Sequence, residues 1–368
     1  NTCTVRQHAE DRALSQLGRL KPWKEERPER LLIVAGCAAV RLGPWLVDRF
    51  PHIDLVVGAK SIEQYPEVLE LALAERFDWA RENAGAWKHA APATSGAGAY
   101  VTVMRGCNYS CSYCIVPAVR GRELYRPLDV VLSEARARAA EGAREVTLLG
   151  QTVNSWREGG RDFADLLRAV DATGAVGRVR FTSPHPFFLG ERAMAAMAEC
   201  PSVAPHLHLH AQSGSDRLLK LMRRNYTAAE FLKKAARLRA LIPDLALTSD
   251  FIVGFPGETE ADFQATLALA AAADLDSAYC FAFSPRVGTE AAAFGDTVPE
   301  EAKQARLRLL LDAVEANMAR KLDAMLGRTV RVLLETETDG RTQYHYRARL
   351  DAPGVPGTFV DAVVTGRT

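Results

Sequence analysis

Residues 100–114, Tyr-Val-Thr-Val-Met-Arg-Gly-Cys107-Asn-Tyr-Ser-Cys111-Ser-Tyr-Cys114, join a candidate strand to three closely spaced cysteines. From this strand onward, apolar strand patterns and helical patterns alternate as far as Gly288. The alternation predicts an α/β fold with a parallel sheet, because parallel strands need a crossover connection that is usually a helix. Functional groups are then expected at the carboxyl ends of the strands, where the cysteines stand.

The alternating region contains six strand–helix units, fewer than the eight of a closed barrel, which predicts an open, partial (β/α)6 barrel. Capping boxes at Thr227 with Glu230 and at Thr259 with Asp262 mark two helix starts. The predicted strands are Tyr100–Met104, Glu145–Leu149, Arg178–Thr182, His206–Ala211, Ala246–Val253 and Ala278–Phe283. The predicted helices are Leu128–Glu141, Phe163–Ala172, Glu191–Glu199, Thr227–Leu241 and Glu260–Ala272.

Two further regions flank the alternating one, which gives three predicted domains at 1–92, 93–326 and 327–368. The first is predicted to be an α/β layer with strands Leu31–Ala35 and Ile53–Val57, helices Ala9–Leu20 and Ile62–Ala74, and a linker at Asn83–Gly98. After a long helix, Pro299–Met325, the last region has short apolar segments separated by Gly and Pro, which predicts a small β barrel. Those segments are Thr329–Leu334, Tyr344–Leu350 and Thr358–Thr365.

The composition is that of an ordinary globular protein, with 48% hydrophobic and 25% charged residues in a chain of 368. Its 46 Lys and Arg balance 45 Asp and Glu, so any attraction for nucleic acid has to be local. No apolar run is long enough for a membrane helix, and no secretory signal opens the chain. Seven cysteines, three of them in one run, favour a reducing cytoplasm and a metal site over a disulfide framework.

The cysteine run has the spacing Cys-x3-Cys-x2-Cys at Cys107, Cys111 and Cys114. Three thiolates so placed can hold three corners of a cubane iron–sulfur cluster and leave the fourth iron without a protein ligand. A zinc site would need a fourth ligand, usually in paired Cys-x2-Cys units, and none lies within a few residues of the run. The spacing therefore favours a cluster, with a zinc site or simple packing as the alternatives.

Five motifs in this order resemble those of the radical S-adenosylmethionine (SAM) superfamily, and within it the methylthiotransferases that modify tRNA. The resemblance covers nearly the whole chain and implies a partial β/α barrel, an amino-terminal methylthiotransferase domain with a second 4Fe–4S cluster, and a carboxy-terminal RNA-binding TRAM domain. The motifs are Arg105-Gly-Cys-Asn-Tyr-Ser-Cys-Ser-Tyr-Cys-Ile-Val-Pro117, Arg120-Gly-Arg-Glu123, Leu148-Leu-Gly-Gln-Thr-Val-Asn154, Gln212-Ser-Gly-Ser215 and Asp250-Phe-Ile-Val-Gly-Phe-Pro-Gly-Glu258.

The resemblance implies three cysteine ligands for the second cluster, of which Cys3 and Cys37 are matched here. The family's first cysteine would fall ahead of Asn1, and because the chain does not begin with Met we expect a truncated amino terminus. The alternative for Cys3 and Cys37 is a role as small buried hydrophobes. Cys200 and Cys280 match no ligand pattern and are expected in the core.

The resemblance also implies a SAM pocket at the strand ends, to which we assign Tyr113, Gly150, Gln151, Gln212, Ser213, Ile252 and Gly254. Gly and Ser end strands for many reasons, so turn chemistry is the alternative at each position. His185 is expected in the pocket or in a solvated loop. His206, His208 and His210 alternate along one strand and so share a face, where a metal site is a minor alternative. Family members more often have Pro where His210 stands.

The implied reaction begins with cleavage of SAM by an electron from the first cluster, which yields a 5′-deoxyadenosyl radical. The radical removes hydrogen from an aromatic C–H, and a methylthio group built at the second cluster is transferred there. Gly150-Gln-Thr-Val-Asn-Ser-Trp156 is similar to the form in enzymes that act on isopentenyladenosine in tRNA. Threonylcarbamoyladenosine in tRNA and a ribosomal-protein aspartate are the alternative substrates.

The expected partners are a tRNA anticodon loop, an electron donor such as flavodoxin or ferredoxin, and a sulfur source, with the enzyme acting as a monomer. Phosphate contacts and base-stacking faces for RNA are expected from the terminal region and from arginines beside the cysteines. These residues are Arg120, Arg122, Arg126, Arg328, Arg331, Arg341, Tyr344 and Arg347, with Tyr346 and Arg349 nearby. The alternative is a solvated charged surface, and an alternative of another class is an RNA-binding module with a structural metal.

Overall fold

The structure is a computed structural model that describes residues 1–5, 7–60, 65–67, 69–70 and 97–367. Its strands are β1 Ile33–Gly36, β2 Leu55–Gly58, β3 Gly98–Thr102, β4 Met104–Arg105, β5 Leu124–Tyr125, β6 Glu145–Leu149, β7 Arg178–Phe181, β8 His206–His208, β9 Ala246–Val253, β10 Ser277–Ala282, β11 Thr329–Leu334, β12 Asp339–Thr342, β13 Arg347–Arg349 and β14 Phe359–Val363. Its helices are α1 Gln7–Arg19, α2 Lys21–Glu26, α3 Cys37–Arg49, α4 Val116–Arg120, α5 Leu128–Ala140, α6 Phe163–Ala172, α7 Glu191–Glu199, α8 Asp216–Leu221, α9 Ala228–Leu241, α10 Glu260–Ala272, α11 Glu290–Ala293 and α12 Glu300–Asp323.

The contacts divide the chain into two units. The thiol unit contains the described residues up to 70, together with 106–123 and 286–289. The strand unit contains 97–105, 124–285 and 290–367. None of the helices among the described residues is long and apolar enough to cross a membrane.

In the thiol unit, β1 and β2 form a parallel pair, and Thr2 adds a bridge to Gly36 at the end of β1. Apolar residues from α1, α3 and the strands pack together, among them Leu17, Val34 and Leu46. Both strands confirm the prediction to within a few residues. The sequence did not predict α3, which contains a kink at Gly43 followed by a proline.

Part of the first predicted region cannot be compared with the structure. Most of the helix predicted at Ile62–Ala74 and of the linker predicted at Asn83–Gly98 lies outside the described residues.

The strand unit contains two three-stranded parallel sheets, in the orders β3-β6-β7 and β8-β9-β10. Leu148 of β6 and Phe251 of β9 are fully buried in the core that α5, α6, α7, α9 and α10 cover. The predicted β6, β9, α6, α7 and α10 match residue for residue. Both predicted capping boxes are confirmed, and Asp162 with Asp165 forms another that the sequence reading missed.

The strand predicted at His206–Ala211 is shorter, because regular pairing with β9 ends at His208. The chain then turns at Gln212, which has φ of +67° and pairs with Phe251 as an isolated bridge.

The terminal residues form an antiparallel sheet in the order β13-β12-β11-β14, which follows α12. Arg178 and Arg180 of β7 are almost fully buried and donate to backbone carbonyls of this sheet. Both guanidinium groups also pair with Glu145, at 3.3 and 2.9 Å. The terminal sheet is therefore joined to the parallel strands by buried charge-assisted hydrogen bonds.

Candidate functional site: two thiol groups and the strand ends

The loop that carries Cys107, Cys111 and Cys114 is closed at its base by backbone hydrogen bonds. The Cys107 amide donates to the Gly121 carbonyl at 3.1 Å, and the Cys114 amide donates to the Cys111 carbonyl at 3.0 Å. Gly106 has φ of +75°, and a Cβ there would overlap the backbone carbonyl of Arg122. The loop can therefore approach the 121–122 backbone only with glycine before the first cysteine.

A side-chain pair closes the same loop further out. Asn108 donates from its amide to the Glu123 carboxylate at 3.1 Å and accepts from the Glu123 backbone amide at 3.2 Å. Cys111 is buried, whereas Cys107 and Cys114 are half-buried. Three thiols in one loop form a soft donor set, which is the set that iron–sulfur clusters take, so these residues fit a cluster.

The other predicted thiols, Cys3 and Cys37, are brought together by the short parallel pairing at the amino terminus. The Cys37 amide donates to the Thr2 carbonyl at 3.0 Å, which places Cys3 next to the start of α3. Gly36 is required there, since its φ is +111° and a Cβ would overlap Thr2.

Cys37 is buried against Ile115 and Val119, the residues that follow the three-cysteine loop. The Arg120 guanidinium donates from Nε to Cys37 Sγ at 3.2 Å. Within the thiol unit, a cation from the loop segment therefore lies against a predicted ligand of the second cluster. The sequence predicted Arg120 as an RNA contact and gave no signal of this role.

In the strand unit, a buried polar atom lies just after β6. The Gln151 side-chain oxygen Oε1 is buried and accepts no hydrogen bond from any described residue. Gly150 lies against Met104 and Val153. A Cβ at this position would overlap both and displace the turn that carries Gln151. A buried acceptor of this kind suits a ligand that donates, such as an ammonium group.

Two hydrogen bonds between the Asn154 side chain and the His185 backbone hold His185 in place. The Asn154 amide donates to the His185 carbonyl at 3.0 Å, and the His185 backbone amide donates to Asn154 Oδ1 at 2.7 Å. His185 Nδ1 accepts a hydrogen bond from the Phe187 backbone amide, so this ring nitrogen carries no proton. Burial, together with the nearby Arg224 cation, lowers the pKa of His185 to about 2. The imidazole is therefore buried and uncharged, and the solvated-loop alternative is wrong.

Gln212 and Ser213 lie on a turn that is built into the sheet. The Gln212 amide donates to the Asp250 carbonyl at 2.8 Å, and Ser213 Oγ lies 3.3 Å from Thr266 Oγ1. Gly214 has to be glycine because a Cβ would overlap the Ala265 carbonyl.

Ile252 lies in β9, and Gly254 follows that strand with φ of +70°. A Cβ at Gly254 would overlap the Lys303 side chain, and the Gly254 amide donates to Glu258 at 2.7 Å. Packing against Lys303 thus supplies a structural reason for this glycine.

The arginines predicted to contact RNA differ in their engagement. Arg126 is paired with Glu134 at 2.5 Å, Arg328 with Asp244 at 2.7 Å and Arg341 with Glu335 at 3.0 Å. Arg331 covers the Phe359 ring at 4.4 Å. Arg122 and Arg347 are exposed.

Tyr344 corrects a prediction. It is only 8% exposed and packs with Val330 and Val332, so its ring offers no stacking face to a base. Tyr344 lies in the turn between β12 and β13 and not in the strand predicted at Tyr344–Leu350, so strand alternation could not tell which way its ring faces.

Comparison with known proteins agrees with these features over almost the whole chain. Residues 101–270 match the Radical SAM superfamily, and residues 1–58 match the family described as Uncharacterized protein family UPF0004. The chain is 39% identical to the tRNA-2-methylthio-N(6)-dimethylallyladenosine synthase of Stutzerimonas stutzeri, over 98% of this chain and 86% of that protein. It is 41% identical to the synthase of the same name from Methylococcus capsulatus, over 99% of this chain and 83% of that protein.

Among solved structures, the cobalamin-dependent S-adenosylmethionine radical enzyme OxsB superimposes with a TM-score of 0.53 at 12% identity. The match covers 86% of this chain and 47% of OxsB. At this identity the likeness concerns the fold alone, and it supports the radical SAM fold with mixed α/β structure.

Proposed function

Because the chain belongs to the radical SAM family of tRNA-2-methylthio-N6-dimethylallyladenosine synthases, we propose that it adds a methylthio group to C2 of N6-isopentenyladenosine beside the tRNA anticodon. The similarity that carries this proposal extends over 98–99% of the chain to synthases of that name. A relationship of this length includes both the thiol unit and the strand unit, whereas a shared cysteine motif alone would support only the superfamily.

Cys107, Cys111 and Cys114 are proposed to hold the 4Fe–4S cluster of the radical SAM reaction. When bound, this cluster supplies the electron that cleaves SAM to methionine and a 5′-deoxyadenosyl radical. The protein's part is to keep three thiolates on one loop, which the Gly106 conformation and the Asn108–Glu123 pair support. Three protein ligands would leave one iron of such a cluster without a protein ligand, and SAM could bind there through its amine and carboxylate.

In the strand unit, the residues proposed to contact SAM are Gly150, Gln151, Gln212, Ser213, Ile252 and Gly254. In the thiol unit, Tyr113 is proposed for the same role. The buried Gln151 Oε1 would accept from an N–H of the methionyl amino group. The turn at Gln212 and Ser213 offers polar groups to ribose or carboxylate. His185 would contribute an uncharged surface, because its imidazole is neutral at physiological pH.

Cys3 and Cys37 are proposed as ligands of the second 4Fe–4S cluster, where sulfur is delivered by a donor of its own. Their adjacency across the Thr2–Gly36 bridge supports a common ligand role. The electron for the first cluster is proposed to come from a small redox protein such as flavodoxin or ferredoxin.

RNA binding is proposed for the exposed Arg122 and Arg347 and for Arg331, with Arg120, Arg126, Arg328 and Arg341 as further contacts that are engaged with protein groups. A splayed adenosine in a single-stranded loop reaches a buried site at low cost. We propose domain boundaries at 1–92, 93–326 and 327–368, with a partial (β/α)6 barrel and a terminal TRAM domain.

The test is nucleoside analysis of tRNA from bacteria that lack their own synthase and express this chain. The expected result is conversion of isopentenyladenosine to its 2-methylthio form by the wild type. Cys107→Ala should abolish both this conversion and anaerobic deoxyadenosine formation. Cys200→Ala is the matched control, because Cys200 is a buried cysteine outside the motif and its variant should stay active.

Each contrary result has a defined meaning. Deoxyadenosine formation that survives Cys107→Ala contradicts the cluster assignment. Methylthiolation of threonylcarbamoyladenosine or of a ribosomal-protein aspartate, with isopentenyladenosine untouched, contradicts the substrate. RNA binding with a stable zinc stoichiometry and no SAM cleavage would identify an RNA-binding module instead.

A further inference from the structure

Two neighbouring parallel strands, β8 and β9, place three metal-ligating side chains together in the strand unit. His208 is opposite Thr248 in the β8–β9 register, so His210 and Asp250 stand one step further along on the same side. One ligand atom from each of His208, His210 and Asp250 lies within 4.8 Å of the others.

The distances within this group are those of close ligands. His210 Nδ1 lies 2.7 Å from Asp250 Oδ2, and His208 Nε2 lies 3.2 Å from Asp250 Oδ1. Two ligands at about 2.0–2.1 Å from a tetrahedral Zn²⁺ are about 3.3 Å apart, which is close to the second distance. His208 Nδ1 contacts Thr248 Oγ1 at 2.8 Å, which orients the ring with Nε2 toward the carboxylate.

A second observation points to a missing positive charge. Asp250 Oδ1 is buried and accepts no hydrogen bond from any described residue, although His208 Nε2 is close to it. A buried carboxylate oxygen without a donor costs free energy. A cation shared by Oδ1 and the imidazole nitrogens removes this cost.

We propose that His208, His210 and Asp250 bind a divalent first-row transition-metal ion through two imidazole nitrogens and one carboxylate oxygen. Two histidines and one carboxylate form a donor set that zinc and ferrous iron both accept, with coordination positions left open for water or substrate. The site is distinct from the thiol sites and does not depend on the proposed function.

The sequence signal was partial. Alternation of His206, His208 and His210 placed three rings on one face, but His206 instead stacks against His345 with ring centroids 5.2 Å apart. The carboxylate belongs to Asp250, which lies 40 residues after His210 in the chain. Only the strand register brings it beside the rings.

The test is zinc binding by the full chain after anaerobic reconstitution of its clusters. Zinc is the probe because it is counted separately from cluster iron, and because occupied thiolates do not compete for it. Wild-type protein should take up about one zinc per chain, with an X-ray absorption shell of nitrogen and oxygen at about 2.0–2.1 Å. His210→Gln and Asp250→Asn should each weaken binding at least about tenfold.

His206→Gln is the matched control, since it removes a histidine from the same strand but not from the ligand group, and it should keep the zinc. Far-ultraviolet circular dichroism and cluster iron content identify any variant that has lost its fold. If Asp250→Asn does not fold, His210→Gln alone tests the ligand group. Zinc retained undiminished by folded His210→Gln, a sulfur shell at about 2.3 Å, or wild-type protein that takes up no zinc would each overturn the proposal.

Discussion

Two of the groups of described side chains that we propose to bind metal are built differently. In the thiol unit, Cys107, Cys111 and Cys114 lie within one loop. Backbone hydrogen bonds, Gly106 and the Asn108–Glu123 pair hold this loop closed. In the strand unit, His208 and His210 meet Asp250 through the register of two parallel strands. Local spacing therefore reveals the first arrangement, and only tertiary pairing reveals the second.

The difference also concerns what each region tolerates. The loop depends on backbone conformation at single residues, whereas the strand unit depends on buried charged pairs such as those of Arg178 and Arg180 with Glu145. Substitutions of the two kinds should therefore damage different properties: metal retention in the loop, and global stability or its pH dependence in the strands.

The largest effect is expected from Gly106→Ala. The new Cβ would overlap the Arg122 carbonyl, so the backbone that carries Cys107 has to move. Iron retained after anaerobic reconstitution should fall close to the level of a variant without the three cysteines. Gly142→Ala is the control, because Gly142 also has a positive φ, +106°, but lies outside the cysteine loop, and its Cβ would meet nothing within 4 Å. Equal iron in the two variants would contradict the role given to Gly106.

Glu145→Gln should cost about 3–5 kcal/mol of the free energy of unfolding, because it leaves two buried guanidinium groups without their carboxylate. Burial and the neighbouring Arg180 already lower the pKa of Arg178 to about 10. Urea unfolding measures the change. Glu199→Gln breaks an exposed pair with Arg168 and should cost less than about 1 kcal/mol. Comparable losses in both would show that burial of the Glu145 pair is immaterial.

His185→Gln should flatten the pH dependence of stability. The pKa of His185 is about 2 in the folded protein and about 6.5 when unfolded, so below pH 6.5 only the unfolded state binds the proton. Stability is then lost as pH falls, by about 1.4 kcal/mol per pH unit, and is unaffected well above 6.5. The wild type should lose about 1.4 kcal/mol more than the variant between pH 7.5 and 5.5. If the urea midpoints of the wild type and of His185→Gln shift equally between the two pH values, the prediction is wrong.

The smallest effect is expected from Thr227→Ala, which removes a capping box at the start of α9. The expected loss is about 1 kcal/mol, without any change in bound iron. Thermal unfolding measures it, and Thr227→Ser, which keeps the capping hydroxyl, should restore most of the stability. A loss of cluster iron in Thr227→Ala would contradict the claim that substitutions in the strand unit change stability and not metal retention.

Sequence reasoning succeeded where a pattern is local. The β6 and β9 strands and the two capping boxes each depend on residues close together in the chain. It failed where a distant partner decides the outcome: the reciprocal amide bonds of Asn154 with His185, and the burial of Tyr344. The helix α3 escaped prediction because Gly43 and Pro44 interrupt its pattern.

The buried arginines of β7 have a practical consequence for dividing this protein. Arg178 donates to the Arg331 carbonyl at 2.8 Å, and Arg180 donates to the Thr342 carbonyl at 2.8 Å. A shortened version ending at residue 326 would remove these carbonyls and the Phe359 ring over Arg178, and would open the buried side of β7 to water. A shorter fragment of this protein should therefore retain the last sheet.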